Sequence, residues 1–367
     1  MAGEGCRRHL QAATPVGMAR EDARAPVHNK RPWMAFVTGM RDATARWMLA
    51  VATVLLGVVS VAQDYKDAPG PREIEVRQET WHDERRSRDV PVTCYLPVGE
   101  SQAPAPVILF SHGLGGSRQA GEAWGRHWAS HGYACIHLQH AGSDTAVWQG
   151  SRSILADMRR AANGANWLLR VQDVSFVLDY LEHLPADDAL RKRLDLTRVG
   201  MAGHSFGAGT TLGVCGQTTG RKGGGAALTA ADPRIKAGIA FSPPVSAGPD
   251  LDAAYGGIRV PFMVMTGTED TSPINDTTPA QREEVYRHLV TPDKYLLVLA
   301  HGDHMVFSGQ PRRRGAAAHD PENHRLIRMG SIAFWDAYLR QDATAREWLT
   351  QHLPEAIRTQ GGRCEAK

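Results

Sequence analysis

Short apolar runs that alternate with helical patterns predict an α/β fold, in which a mostly parallel central sheet carries helices on both faces. Three observations carry this expectation. Runs such as Pro106-Val107-Ile108-Leu109-Phe110 are apolar at nearly every position, as a strand covered on both faces must be. Strand and helix patterns alternate after one antiparallel pair near the start, and a strand-helix-strand order implies a right-handed parallel crossover. A glycine-flanked serine, Gly203-His204-Ser205-Phe206-Gly207, stands between a β-type run and a small-residue run, the order of a strand, a sharp turn and a helix.

Taken in order, Glu73 to Thr80 and Val90 to Leu96 read as a hairpin whose turn is the charged Asp83-Glu84-Arg85-Arg86. Pro106 to Phe110 is the first buried strand and ends at Ser111-His112-Gly113. Arg118 to His131 has a helical pattern, and Gly132 to Leu138 is the next buried strand. Ala141 to Asn166 is a polar excursion containing Trp148, long enough to act as a lid. Val171 to Leu184 shows a broad apolar face built from Val171, Val174, Phe176, Val177, Leu178, Leu181 and Leu184. After the strand that ends at Gly203 come the helix following Ser205, a glycine-rich loop at Gly220 to Gly225, and strands at Ile235 to Phe241 and Pro261 to Thr266. A helix at Pro279 to Leu289, a strand at Lys294 to Ala300 and a helix at Glu322 to Leu339 complete the core. From Arg346 a short amphipathic helix and a polar end follow.

The 42% hydrophobic and 22% charged composition is that of a globular protein, and 367 residues demand no second core. A net charge of +3 is too small to argue for a nucleic-acid partner, and Arg312 to Arg314 reads as a solvated loop. The start differs from the rest. Met48 to Ala62 is an uncharged apolar run preceded by Arg41 and Arg46 and ending Ser60-Val61-Ala62, the composition of an export signal. Fifteen residues are short for a membrane span. The expected organisation is therefore an extension over residues 1–39, a signal over 40–62 with a true start at Met40 or Met34, a catalytic domain over 63–345 and a tail over 346–367. The chain is expected outside the cytoplasm, secreted or periplasmic, with no membrane span once the signal is removed. Cys94, Cys135, Cys215 and Cys364 remain in the exported part, and buried free thiols suit Cys135 and Cys215 at least as well as bridges.

In a sheet of this kind reactive groups gather at the C-terminal strand ends. A serine hydroxyl needs a base within hydrogen-bond reach, and the base needs an orienting acid, in the chain order Ser, acid, His. Ser205 is the nucleophile candidate. Asp270, in the turn after the Pro261 to Thr266 strand, is favoured as the acid over Glu269. His304, past the glycine of His301-Gly302-Asp303-His304, is favoured as the base over His301. The charge that develops on a carbonyl oxygen needs fixed donors. The backbone N–H groups of Phe206 and of Leu114, in the loop His112-Gly113-Leu114-Gly115-Gly116, are placed to supply them, with His112 bracing that loop and His204 packing. His127 and His131 have metal-like spacing but lack the intervening Glu of the zinc-protease pattern, and read as surface residues. His137 and His140 flank a strand end, and packing suits them better than substrate contact. No metal and no organic cofactor is implied.

With these residues placed, the chain resembles the α/β-hydrolase superfamily, in the branch of plasma-type platelet-activating-factor acetylhydrolases, dienelactone hydrolases and bacterial polyester hydrolases. The likeness spans Ile74 to Leu339 and is carried by Leu109-Phe110-Ser111-His112-Gly113-Leu114-Gly115, Ala129-Ser130-His131-Gly132-Tyr133 and Gly203-His204-Ser205-Phe206-Gly207. It implies the same roles for Ser205, Asp270, His304, Leu114 and Phe206. Dienelactone hydrolases use a cysteine where Ser205 stands. Polyester hydrolases carry an aromatic residue at the oxyanion loop and a tryptophan after the sixth strand, where this chain has Leu114 and Pro243-Pro244-Val245. The resemblance thus implies an exported serine hydrolase of small-molecule or lipid esters. A polyester hydrolase and a non-catalytic binding protein of the same fold are the alternatives. Acyl length, ester against amide, and oligomeric state stay open.

Overall fold

The computed structural model of the 367-residue chain describes residues 65–99, 103–219, 228–246, 248, 250–272, 274, 276–309 and 318–367. The predicted extension and signal segment, the Gly220 to Gly225 loop and Arg312 to Arg314 lie outside the described residues.

A hairpin opens the fold, β1 (Glu73–Asp83) pairing antiparallel with β2 (Arg88–Val98). Then come β3 (Ala105–Ser111), α1 (Glu122–Ser130), β4 (Ala134–Leu138), α2 (Ile154–Ala161), α3 (Gly164–His183), β5 (Leu194–His204) and α4 (Phe206–Cys215). The short strands β6 (Thr218–Thr219) and β7 (Leu228–Thr229) form a ribbon of their own. The second half holds β8 (Ile235–Phe241), α5 (Leu251–Tyr255), β9 (Phe262–Glu269), α6 (Pro279–His288), β10 (Lys294–Asp303), α7 (Asp320–Leu339), α8 (Ala343–Gln351), α9 (Leu353–Thr359) and β11 (Arg363–Ala366). The main sheet runs β1-β2-β4-β3-β5-β8-β9-β10-β11. Its middle, from β4 through β10, is parallel, and antiparallel strands close both sides.

Alternation across each strand explains the continuous apolar runs. Val107 and Leu109 of β3 point to the face covered by α3, α4 and α6, while Ile108 and Phe110 point to the face covered by α1 and α7 to α9. Val264 and Met265 of β9, and Leu296 and Leu297 of β10, divide in the same way. Neither face can be polar, so no period-two pattern is visible in the sequence.

The structure departs from the sequence reading in four places. The excursion after β4 carries a single helical turn at Thr145–Val147 and the mostly exposed helix α2. Helix α3 begins at Gly164 rather than Val171, with the Asn163 side chain accepting from the Asn166 amide at 2.9 Å. Its first two turns escape an apolar-face test because the side chain they bury is Arg170. The polar end of the chain forms two helices and then β11, held by backbone pairing to β10. Finally, His127 is buried and His131 half-buried, correcting their reading as surface residues; the α1 face that carries them packs on the chain around Lys66 to Ala68.

His137 lies inside β4, stacked on Phe110 at 4.7 Å between ring centroids, and donates from Nδ1 to the Ala120 carbonyl at 2.8 Å. Burial pushes its pKa down to about 4, and burial likewise pushes His127 and His204 to about 3. The unfolded chain binds protons at these sites from about pH 6.5 downward while the folded chain does not. Stability present above that pH is therefore lost as pH falls toward 4. His137→Gln, which keeps a donor for Ala120, is expected to flatten the pH slope of the unfolding free energy by up to about 1.4 kcal/mol per pH unit. Urea unfolding at successive pH values reads this directly, and an unchanged slope contradicts it.

Candidate active site

Ser205 stands between β5 and α4 with φ 55 and ψ −117, a conformation that costs on the order of 1–3 kcal/mol in a non-glycine residue. The surroundings enforce it. A Cβ on Gly203 would meet the Gly207 carbonyl oxygen at 2.2 Å, and one on Gly207 would meet the Ser111 carbonyl oxygen at 1.9 Å. Both glycines are thus required by the close approach of β5, α4 and the end of β3. The Ser205 amide donates to the Phe241 carbonyl at 2.9 Å, which ties the turn to β8.

Three of the five predicted site side chains and backbones meet here in a hydrogen-bonded line. Ser205 Oγ lies 2.9 Å from His304 Nε2, and His304 Nδ1 lies 2.9 Å from Asp270 Oδ1. His304 follows β10 directly, and Asp270 follows β9. The two alternatives, Glu269 and His301, pair with each other instead, Nδ1 to Oε1 at 3.0 Å, and both are exposed. β10 runs past Ala300 to Asp303 with an irregular register and His301 at φ 56, which turns His301 outward and His304 inward.

Asp270 is fully buried and surrounded by donors. Ser242 Oγ–H reaches Oδ1 at 2.8 Å, Thr266 Oγ1–H reaches Oδ2 at 2.9 Å, and Arg282 Nε stands 3.0 Å from Oδ1. Burial alone would raise the Asp270 pKa, but the His304 hydrogen bond, the Arg282 charge and the Ser242 bond together hold it below the usual carboxylate value. Arg282 is itself buried and donates onward to the Ser242 and Pro243 carbonyls at 3.2 and 2.7 Å. Ser242 also lies 2.7 Å from His304 Nδ1 and takes φ 53 at the end of β8. Neither Ser242 nor Arg282 was singled out by sequence. The signal available was position, since Ser242 is the first residue past a buried strand on the side where Ser205 lies.

The amides assigned to the oxyanion flank the serine. Phe206 is the first residue of α4, where an N–H has no intrahelical acceptor. Gly113 lies against the nucleophile, for a Cβ there would stand 3.5 Å from Ser205 Cβ. Among the described residues, neither the Leu114 nor the Phe206 N–H has an acceptor. The loop is shaped by its neighbours: the Gly115 N–H donates to Ser143 O at 2.9 Å, and Trp148 Nε1–H donates to Gly115 O at 2.8 Å.

The other histidines act as braces. His204 Nε2 reaches the His304 carbonyl at 2.8 Å. The His140 amide donates to His112 Nε2 at 3.1 Å, so Nδ1 carries the proton and donates to the Gly113 carbonyl at 2.6 Å. His140 is buried between Ser111 Oγ and Asp173 Oδ2, both at 2.9 Å. A cleft of about 660 Å³ lined by Arg72, Glu75, Lys192 and Arg193 lies at the opposite end of β3 and β5 from Ser205 and shares none of these residues.

Known proteins resemble parts of this chain. The family described as platelet-activating factor acetylhydrolase, isoform II, matches residues 89–168, from β2 into the first turn of α3. The chain is similar to cutinase cut1 of Thermobifida fusca, 27% identical over 269 residues that cover 67% of this chain and 71% of that one. The cutinase of Thermobifida fusca strain YX matches to the same extent. The platelet-activating factor acetylhydrolase of Cavia porcellus is 24% identical over 165 residues, 38% of this chain and 35% of that one.

Proposed function

We propose, because the chain belongs to the α/β-hydrolase superfamily, in its branch of platelet-activating-factor acetylhydrolases and polyester hydrolases, that it hydrolyses carboxylic esters through an acyl-enzyme on Ser205. The observation that carries this reading is the line Ser205, His304, Asp270, each contact 2.9 Å, together with two amides that have no acceptor among the described residues.

In this reading Asp270 accepts from His304 Nδ1–H and keeps Nε2 free to take the Ser205 proton. Ser205 Oγ attacks the ester carbonyl, and the Leu114 and Phe206 N–H groups receive the charge on its oxygen. His304 returns the proton to the leaving alcohol. It then activates water, which releases the acid and restores Ser205. The substrate is an ester with an apolar part, since two exposed large apolar side chains adjoin the site: Trp148, which donates to the Gly115 carbonyl of the oxyanion loop, and Met305, next to His304. The apolar run over residues 48–62 supports export. Among the described residues, no helix is long and apolar enough to cross a membrane, and Cys94, Cys135, Cys215 and Cys364 are free thiols.

A series of p-nitrophenyl esters from acetate to palmitate, run beside fluorophosphonate labelling, tests the reading. The expected result is turnover with an optimum in acyl length and labelling of Ser205 in one-to-one ratio. A folded protein that neither turns over any ester nor takes the label refutes it.

A further inference from the structure

Behind the oxyanion loop lies a second polar cluster, and one side chain in it touches both that loop and the first residue of α4. Arg170, in the polar first turns of α3, is fully buried. It donates from Nη1 to the His112 carbonyl at 2.7 Å and to Ser111 Oγ at 3.3 Å, from Nε to Ser143 Oγ at 2.8 Å, and from Nη2 to Ser143 O at 3.4 Å. Its guanidinium carbon stands 4.6 Å from the centre of the Phe206 ring. Among the described residues no carboxylate lies within salt-bridge distance of it. The nearby Asp173 is engaged by Arg86, Arg88 and His140 instead. A buried cation held only by neutral acceptors and an aromatic face destabilises the fold unless its charge or its geometry is used.

Its geometry reaches both amides. The peptide between Gly113 and Leu114 is planar and trans, so its carbonyl and its N–H point in opposite directions. The carbonyl is held on one side by His112 Nδ1–H at 2.6 Å and the Gly116 N–H at 3.0 Å, which aims the Leu114 N–H away from them. His112 is in turn fixed by the Arg170 bond to its own carbonyl. On the other side, the Phe206 ring resting on the same guanidinium fixes the first residue of α4. Resting on the esterase reading above, we propose that Arg170 is a positioning residue that clamps the Leu114 and Phe206 amides in one rigid frame, so that both donors are aimed before the oxyanion forms.

The test uses Arg170→Met, Arg170→Lys, Phe206→Leu and Ser143→Ala in the full chain, with near-ultraviolet circular dichroism as the check of folding. Arg170→Met is expected to lower kcat about 100-fold, the loss typical of one oxyanion donor, with KM changed by less than about threefold. The affinity for a trifluoromethyl ketone, whose carbon bonds to Ser205 Oγ while the serine proton passes to His304, giving a hemiketal oxyanion in the same pocket, should fall by the same factor. Arg170→Lys keeps a cation but not the planar fork, and is expected to remain at least about tenfold slower than the wild type. Phe206→Leu and Ser143→Ala, which leave Arg170 in place and loosen one contact each, are expected to cost about tenfold in kcat and so decide the matter if the arginine variants do not fold. Folded variants whose kcat and ketone affinity stay within about threefold of wild type overturn the proposal, and so does full recovery by lysine, which would leave charge without orientation as the cause. A wild type inert toward esters and fluorophosphonate refutes the esterase reading itself, a separate outcome from an active enzyme indifferent to Arg170.

Discussion

Ser205→Ala is expected to abolish ester turnover, lowering kcat by about 10⁶-fold, the loss measured when a serine nucleophile of this type is removed. The expectation follows from the absence of a substitute. His304 Nε2 faces Ser205 Oγ at 2.9 Å, and Ser242, the next nearest hydroxyl of the site, lies on the Nδ1 side of the ring, 2.7 Å from Nδ1, where it cannot reach the same carbonyl. Residual catalysis of roughly 10³-fold over water should persist, because the two amides are untouched. Stability should hardly change: alanine at φ 55 carries the same backbone strain as serine, and only one half-exposed hydrogen bond is lost. Turnover of p-nitrophenyl butyrate with the melting temperature measured alongside separates the two effects, and activity within about 100-fold of wild type would remove Ser205 from the chemistry.

Asp270→Asn should cost about 10⁴-fold in kcat, with loss of stability as well. His304 Nδ1, Ser242 Oγ and Arg282 Nε all meet Asp270 Oδ1 while Thr266 Oγ1 meets Oδ2, so an asparagine that turns its N–H₂ to His304 keeps its carbonyl toward Thr266 and sets a donor against Arg282. That donor demands an acceptor at Nδ1 and moves the ring proton to Nε2, where it opposes Ser205 instead of accepting from it. The stability loss has a separate source. Arg282 is buried and its pKa is lowered by that burial against the pull of Asp270, so removing the carboxylate leaves a buried cation short of its partner, at a cost of about 3 kcal/mol. Thermal unfolding and kcat measured on the same preparation read both terms; a stable, active Asp270→Asn would show that Asp270 does not orient His304.

The sheet was readable because its strands are buried on both faces, and a buried strand has nowhere to hide a polar residue: Val107 to Phe110 and Tyr295 to Leu299 are apolar without a break. The elbow was readable for a different reason, since backbone crowding at Gly203 and Gly207 excludes every side chain and leaves a pattern of fixed spacing. What escaped were polar groups whose partners come from distant parts of the chain. Arg282 reads as an ordinary charge on an amphipathic helix, and its placement against Asp270 and Ser242 depends on how α6 packs on β8 and β9. Arg170 misled more actively, because its charge broke the apolar face by which the start of α3 could have been recognised. β11 is too short to announce itself and exists only because β10 offers an open edge.

That edge has a practical meaning. β11 pairs with Tyr295 to Val298 of β10, the strand whose far end presents His304, and the Lys294 and Lys367 backbones exchange hydrogen bonds at 3.0 and 3.1 Å just beyond it. A protease that nicks the chain near Gly361 would therefore strip the cover from a row of backbone N–H and C=O groups. The damaged molecule would carry an adhesive flank open to the same flank of its neighbours. Shelf life and solubility of the protein would then rest on β11, a strand of only four residues.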